Sequence, residues 1–431
     1  MTDKLKPPNI LHSFRSLKGN TRVSVLFEPL WGIPYVLYTF YLSLYMKGNG
    51  ITDEQIGFLI SLGCIASVVF SMLGGVITDA LGRRRTTAIF DFIAWPVGVA
   101  IYFISKEFWM FALAQVVNST VKIVAVSWNM MVVEDANKEQ QVAAYNLLNA
   151  INLSAGILTP LAGILIKHFG IIGGERILMG FAVVSMATMV VARHLQYHET
   201  EVGRQILQER KEFKTKGLFR VENGTWRRIT SKPVVMMALG LSVLFNAYIP
   251  IGTFYSLYYA PYLTEVLALD KAAIAVMGGI NAGVILAVYL LAVPRLSRAN
   301  HHWVMATGVL VQILALILLI TIPAGKFGIA IVAVGLFALG FGMTKPFIDA
   351  VLARVTQGRE RAGIYAVYNT AVSIISAGMG FASGYLYRLN PAWIYRISIG
   401  ILLVCTGFLF YLNRFSQSES GSGPEIRSVA G

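Results

Sequence analysis

Apolar stretches of roughly 20 residues recur between residues 23 and 412 of this 431-residue chain. At about 1.5 Å per residue each spans about 30 Å of hydrocarbon. Inside a bilayer only helices and closed barrels satisfy every backbone polar group, and barrels are written as short alternating segments. The runs therefore predict an all-α integral membrane protein. Composition agrees, with 56% hydrophobic residues, 13% charged residues and a mean hydropathy of +0.63, which no soluble domain of this size needs. Twelve helices are expected near residues 23–46, 54–78, 86–105, 108–134, 139–166, 175–193, 233–262, 271–293, 303–322, 327–356, 361–387 and 392–412. Residues 1–22 are polar and basic without an apolar core, so the first helix is the expected insertion signal.

Of the 36 Lys and Arg, 26 fall on the side of the membrane that holds the N-terminus and eight on the other. The remaining two are Lys122 and Lys345, inside helices. This asymmetry predicts cytoplasmic N- and C-termini and accounts for the net charge of +14 without nucleic acid. The predicted organisation is a six-helix half over 1–193, a cytoplasmic linker over 194–232 that includes Glu209-Arg-Lys-Glu-Phe-Lys214, a second six-helix half over 233–413, and a disordered Ser/Gly-rich tail over 414–431. At an offset of 223, Lys122 falls on Lys345 and Tyr145-Asn146 on Tyr368-Asn369. One ungapped register carrying both pairs argues for parallel repeats.

Between the second and third runs stands Gly75-Val-Ile-Thr-Asp79-Ala-Leu-Gly82-Arg83-Arg84-Arg85. Glycines permit a tight turn, and the arginines mark a cytoplasmic loop. The spacing Gly-x-x-x-Asp-x-x-Gly-Arg-Arg resembles the signature loop between helices 2 and 3 of the major facilitator superfamily, bacterial type. It departs at Ala80, where that family usually carries a basic residue. The resemblance implies twelve transmembrane helices in two pseudo-symmetric halves, transport by alternating access, and a gate in which Gly75, Asp79, Gly82, Arg83 and Arg84 work with Glu134 and Asp135 at the end of helix 4. At an offset of 218, which also aligns Ser24-Val-Leu-Phe27 with Ser242-Val-Leu-Phe245, the second copy of the loop is degenerate, with His301 and His302 matching Arg83 and Arg84.

No ATP-binding, metalloprotease or serine-hydrolase motif is present. No enzyme, cofactor or metal is expected, and the two cysteines, Cys64 and Cys405, read as small core residues. Charges in membrane helices are functional candidates. Lys122 lies on a helix-4 stripe with Gln115, Asn118, Ala125 and Asn129, spaced three and four apart. Such a stripe lines a cavity or carries a paired structural lysine. Lys345 precedes Pro346, and Asp349 one turn later either neutralises it or takes a proton. Glu28, beside Pro29, is the leading carboxylate for proton coupling, with Arg22 the nearest cation along its own helix. Asp91 reads as a partner of the signature-loop arginines.

Substrate contacts are expected from Lys122, Lys345, Asn118, Trp31, Tyr35, Trp128, Asn146 and Asn369, with proton coupling at Glu28 or Asp349. Asn146, Asn149 and Asn152 form a polar line that binds solute or fastens helices. Aromatics also crowd helix 7, at Tyr248, Tyr255, Tyr258 and Tyr259. The expected protein is a monomeric secondary transporter of the inner membrane. Its partners are a small organic solute, protons and the lipid bilayer. Proton-coupled efflux competes with proton-coupled uptake of a sugar or other polar nutrient, and outside transport stand a transporter-like sensor and a lipid flippase. The stretch Gly156-Ile-Leu-Thr-Pro160-Leu-Ala-Gly163 is a partial match to the motif of drug/proton antiporters, and Tyr197-His-Glu-Thr-Glu201 is a poor match to that of sugar porters.

Overall fold

The computed structural model describes residues 10–212, 233–253, 256–296, 300–355 and 361–419. Tyr255, Lys214 with the rest of the linker to 232, and the tail from residue 420 lie outside the described residues. Among the described residues all regular structure is helical, and ten segments are long and apolar enough to cross a membrane. In order they begin with α1 (Gly19–Gly48), α2 (Asp53–Leu81), α3 (Arg83–Ile104) and α4 (Phe108–Val133). The 59-residue run Lys138–Gln196 follows and reverses at Gly170, whose φ of 69° suits a residue without a Cβ. It therefore holds two helices, α5 (138–169) and α6 (171–196). Then come α7 (Pro233–Gly252), α8 (Ile274–Leu296), α9 (His301–Thr321), α10 (Phe327–Val355), the 29-residue α11 (Arg361–Leu389) and α12 (Ala392–Glu419). The described residues thus carry the twelve helices read from hydropathy.

Proline sets the local breaks. Pro29 has no N–H to continue the ladder, so α1 is interrupted at Glu28, whose own N–H turns to the Val25 carbonyl at 3.4 Å. Pro96 has the same effect in α3, where Ile93–Val97 widens into a π turn. Helix α7 ends at Gly252, two residues after Pro250, ten residues earlier than the apolar run suggests. A short irregular stretch with its own π turn, Tyr262–Val266, follows.

Two compact units emerge, Met1–Gly50 with Ala66–Leu218, and Ile51–Ile65 with Phe219–Gly431. In the first, α1 packs along α6, burying Tyr38, Tyr41, Tyr45 and Met46 from one and Met179, Ala182, Met186 and Met189 from the other. In the second, α9 and α10 approach closely. A Cβ at Gly308 would lie 2.8 Å from the Gly340 carbonyl oxygen, so only a small residue allows that crossing. The start of α2 belongs here too, with Ser61 donating to the Ala377 carbonyl at 2.7 Å and Arg388 paired with Glu54 at 2.7 Å. Outward faces of both units are apolar, with Leu195, Val184, Phe381 and Ile374 all well exposed. Hydrocarbon, not water, suits such faces.

Candidate functional site

In the first unit the turn between α2 and α3 is built on Gly82, with φ 85°. The Arg83 side chain that follows is buried. Its Nη1 contacts Asp79 at 2.9 Å and its Nη2 contacts Glu134 at 3.2 Å. Arg84 makes no carboxylate pair among the described residues and donates instead to the His194 carbonyl at 2.8 Å. Asp135 accepts from the Asn20 amide at 3.4 Å and from the Glu201 N–H at 3.2 Å. Beneath this cluster lies Glu199, which takes the backbone N–H of Arg83 at 2.8 Å and of Arg84 at 3.1 Å. A carboxylate thus caps the N-terminus of α3 from over 110 residues away in sequence, where the helix dipole favours negative charge. Thr200 next to it donates to Glu134. Glu199→Ala strands two N–H groups and removes that charge. The expected result is a loss of about 1–3 kcal/mol of stability, read as an earlier thermal transition of the purified protein.

Deeper in the same unit, Glu28 is not isolated. Arg193, on the last turns of α6, contacts it at 2.7 Å, donates to the Ser24 carbonyl at 2.8 Å, approaches Asp91 to 3.9 Å and lies 5.7 Å from the Trp128 ring. Glu28, Asp91 and Arg193 are each no more than 4% exposed. Asn152 donates to the second Glu28 oxygen at 3.2 Å. Two expectations are corrected. The cation beside Glu28 is Arg193, while Arg22 turns away to stack on Phe14 at 5.5 Å. Asp91 faces this centre instead of the signature-loop arginines, because its place in the third turn of α3 points towards α6.

Above Glu28 on α1 an aromatic group gathers. Trp31 stacks on Tyr35 at 4.8 Å, and Trp95 from the π turn of α3 meets both edge-on, at 5.2 and 5.5 Å. The indole N–H groups of Trp31 and Trp128 are buried without an acceptor among the described residues. Lys122, Asn129, Asn146 and Asn149 form an exposed polar face on α4 and α5, where Tyr145 bridges to Asn129 at 3.1 Å. Asn118 is engaged elsewhere and holds α4 to the Ala94 carbonyl of the π turn at 3.1 Å.

The comparisons with known proteins decide the family. The Major Facilitator Superfamily profile matches residues 32–370 and 251–429. The chain belongs to this superfamily. It is 21% identical over 326 residues to the quinolone resistance protein NorA of Staphylococcus aureus (strain MRSA252), covering 74% of this chain and 77% of that one. Among solved structures it resembles the D-xylose-proton symporter, with TM-score 0.70 and 14% identity over 94% of this chain and 98% of the other. The nucleoside transporter NupG gives TM-score 0.69 at 14% identity, over 92% and 99%. These two likenesses concern the fold.

As a superfamily member the chain is a multi-pass membrane transporter. In its second unit Lys345 and Asp349 form an ion pair at 2.6 Å, with the Asp349 side chain 49% exposed. Asn369 is exposed, whereas Tyr368 is buried among Leu239, Leu352 and Ile364. Tyr145, its repeat counterpart, is 39% exposed, so that match does not extend to environment. The linker expected from residue 194 begins later, since α6 runs to Gln196 and residues 197–203 pack into the first unit. Arg193, Trp95 and Glu199 are the residues that sequence reasoning passed over. For Arg193 the available signal was that it sits within helical reach of an apolar run, not beyond it.

Proposed function

We propose that the chain is a secondary active transporter that exports a small organic solute in exchange for protons. The observation that carries this reading is a pair of buried carboxyls, Glu28 and Asp91, sharing the single guanidinium of Arg193. Two acids against one base leave an uncompensated negative charge in an apolar interior, which one proton neutralises. A proton on Glu28 weakens its bond to Arg193 and moves the cation towards Asp91. That loosens α6 from the Pro29 break of α1 and gives α1 two arrangements, one for each protonation state.

The solute is proposed to stack on Trp31 and Tyr35, accept from the free indole N–H of Trp31 or Trp128, and meet Lys122 and the amide of Asn146 with its polar end. A planar aromatic acid fits that set, and the similarity to a quinolone resistance protein supports the choice. In the second unit Lys345 and Asn369 are assigned to solute and Asp349 to a proton. Asp79, Arg83, Arg84, Glu134 and Asp135, set by Gly75 and Gly82, are assigned to a latch whose ion pairs hold one conformation. The positive-inside bias supports a cytoplasmic position for this latch and for both termini.

Proteoliposomes test the direction. With an acidic lumen and a neutral exterior, a quinolone is expected to accumulate inside as protons leave. Accumulation only under the opposite gradient would replace antiport with symport, and indifference to either gradient would remove proton coupling.

A further inference from the structure

Among the described residues the proposed mechanism leaves one buried acid unused. Glu175 lies on α6, eighteen residues before Arg193, or about 27 Å along the helix. It is 0% exposed, and among the described residues no donor meets either of its oxygens. The groups facing this region are few. Arg176 turns its guanidinium to the Tyr45 hydroxyl at 3.4 Å, and the Tyr38 hydroxyl on α1 lies within electrostatic range of the carboxyl. From α3 comes Tyr102, which bonds to Gln115. Lys47, Lys167 and His168 belong to the same end of the unit but stand partly or fully in solvent.

An ionised carboxylate in this place would surrender its hydration and receive nothing in return. A metal cation would need several oxygen ligands, and among the described residues no group of three acidic, His or Cys side chains exists to supply them. A proton is the one ligand that suits a carboxyl without donors around it. The stripe Glu28, Trp31, Tyr35 and Tyr38 follows one face of α1 at spacings of three and four, and links the level of Arg193 to the neighbourhood of Glu175.

We propose that Glu175 is a further proton-binding site of this transporter, loaded in the conformation described here and emptied when solute binds. Loading rests on burial alone, whereas emptying rests on the antiport reading above. Infrared difference spectroscopy on the purified full-length protein separates the two. At neutral pH the wild type is expected to show the carbonyl stretch of a protonated carboxyl free of hydrogen bonds. Glu175→Gln, a neutral shape-mimic of the loaded state, loses that band, and adding a quinolone to wild type diminishes it. A wild-type spectrum without the band at neutral pH overturns the site, as does a band that survives in Glu175→Gln. A band that depends on Glu175 but ignores the solute overturns the emptying step. If the proteoliposome assay rejects antiport while the Glu175 band remains, the transport reading fails and the proton site stands.

Discussion

Arg193→Leu is expected to cost the folded protein about 3–5 kcal/mol, the range for removing one partner of a buried ion pair. Leucine fills part of the volume and leaves Glu28 and Asp91 in an apolar interior with no cation between them. It also removes the donor to the Ser24 carbonyl and the cation over Trp128. Thermal unfolding followed by size-exclusion chromatography reads the loss as a sharply earlier transition. Acidification narrows the deficit, since a proton on either carboxyl discharges the group that lost its partner. Arg193→Lys recovers only part of it, because an ammonium on a shorter stem lacks the planar fork that serves Glu28 and Ser24 together. Combining Arg193→Leu with Glu28→Gln and Asp91→Asn is expected to restore much of the stability. A single variant that melts with the wild type would show that the pair contributes nothing to folding.

Glu28→Gln separates folding from coupling. The amide keeps the shape of the side chain and a partner in Asn152, and Arg193 keeps Asp91, so stability is expected to fall by no more than about 1–2 kcal/mol. Transport responds differently. Accumulation of a quinolone driven by an acidic lumen is expected to drop to the level of protein-free vesicles. Exchange of labelled for unlabelled solute across the same membrane persists, since the proposed solute contacts are kept and only the carboxyl proposed for coupling is removed. Retention of gradient-driven accumulation in Glu28→Gln would move the coupling site to Asp349.

The residues differ in how far sequence betrays them, and the reason is physical. Glu28 is conspicuous because any charge inside an apolar run stands against the cost of burying it. The signature loop is conspicuous because its glycines, acid and arginines are contiguous. Helix number follows directly from hydropathy, whereas the end of α7 at Gly252 does not, since apolar residues continue past the point where Pro250 disrupts the ladder. Arg193 and Glu175 stand at the edges of the apolar run of α6, and a window average cannot tell an acid or base at a helix end from one carried inside. Trp95 is placed by a π turn, and no hydrophobic period announces that extra residue. Glu199 lies in a polar stretch that reads as linker, and only the folded path of the chain brings it to the backbone of Arg83.

Glu199 also fixes a length. It stands three residues past the end of α6 and must still reach the first amides of α3, so the chain from Gln196 to Gly203 acts as a ruler that cannot be stretched. Anyone inserting a tag, a protease site or a fused binding domain between the halves should treat residues 197–203 as part of the first half. The helix Glu201–Glu212 starts inside that ruler, so added sequence belongs outside it as well.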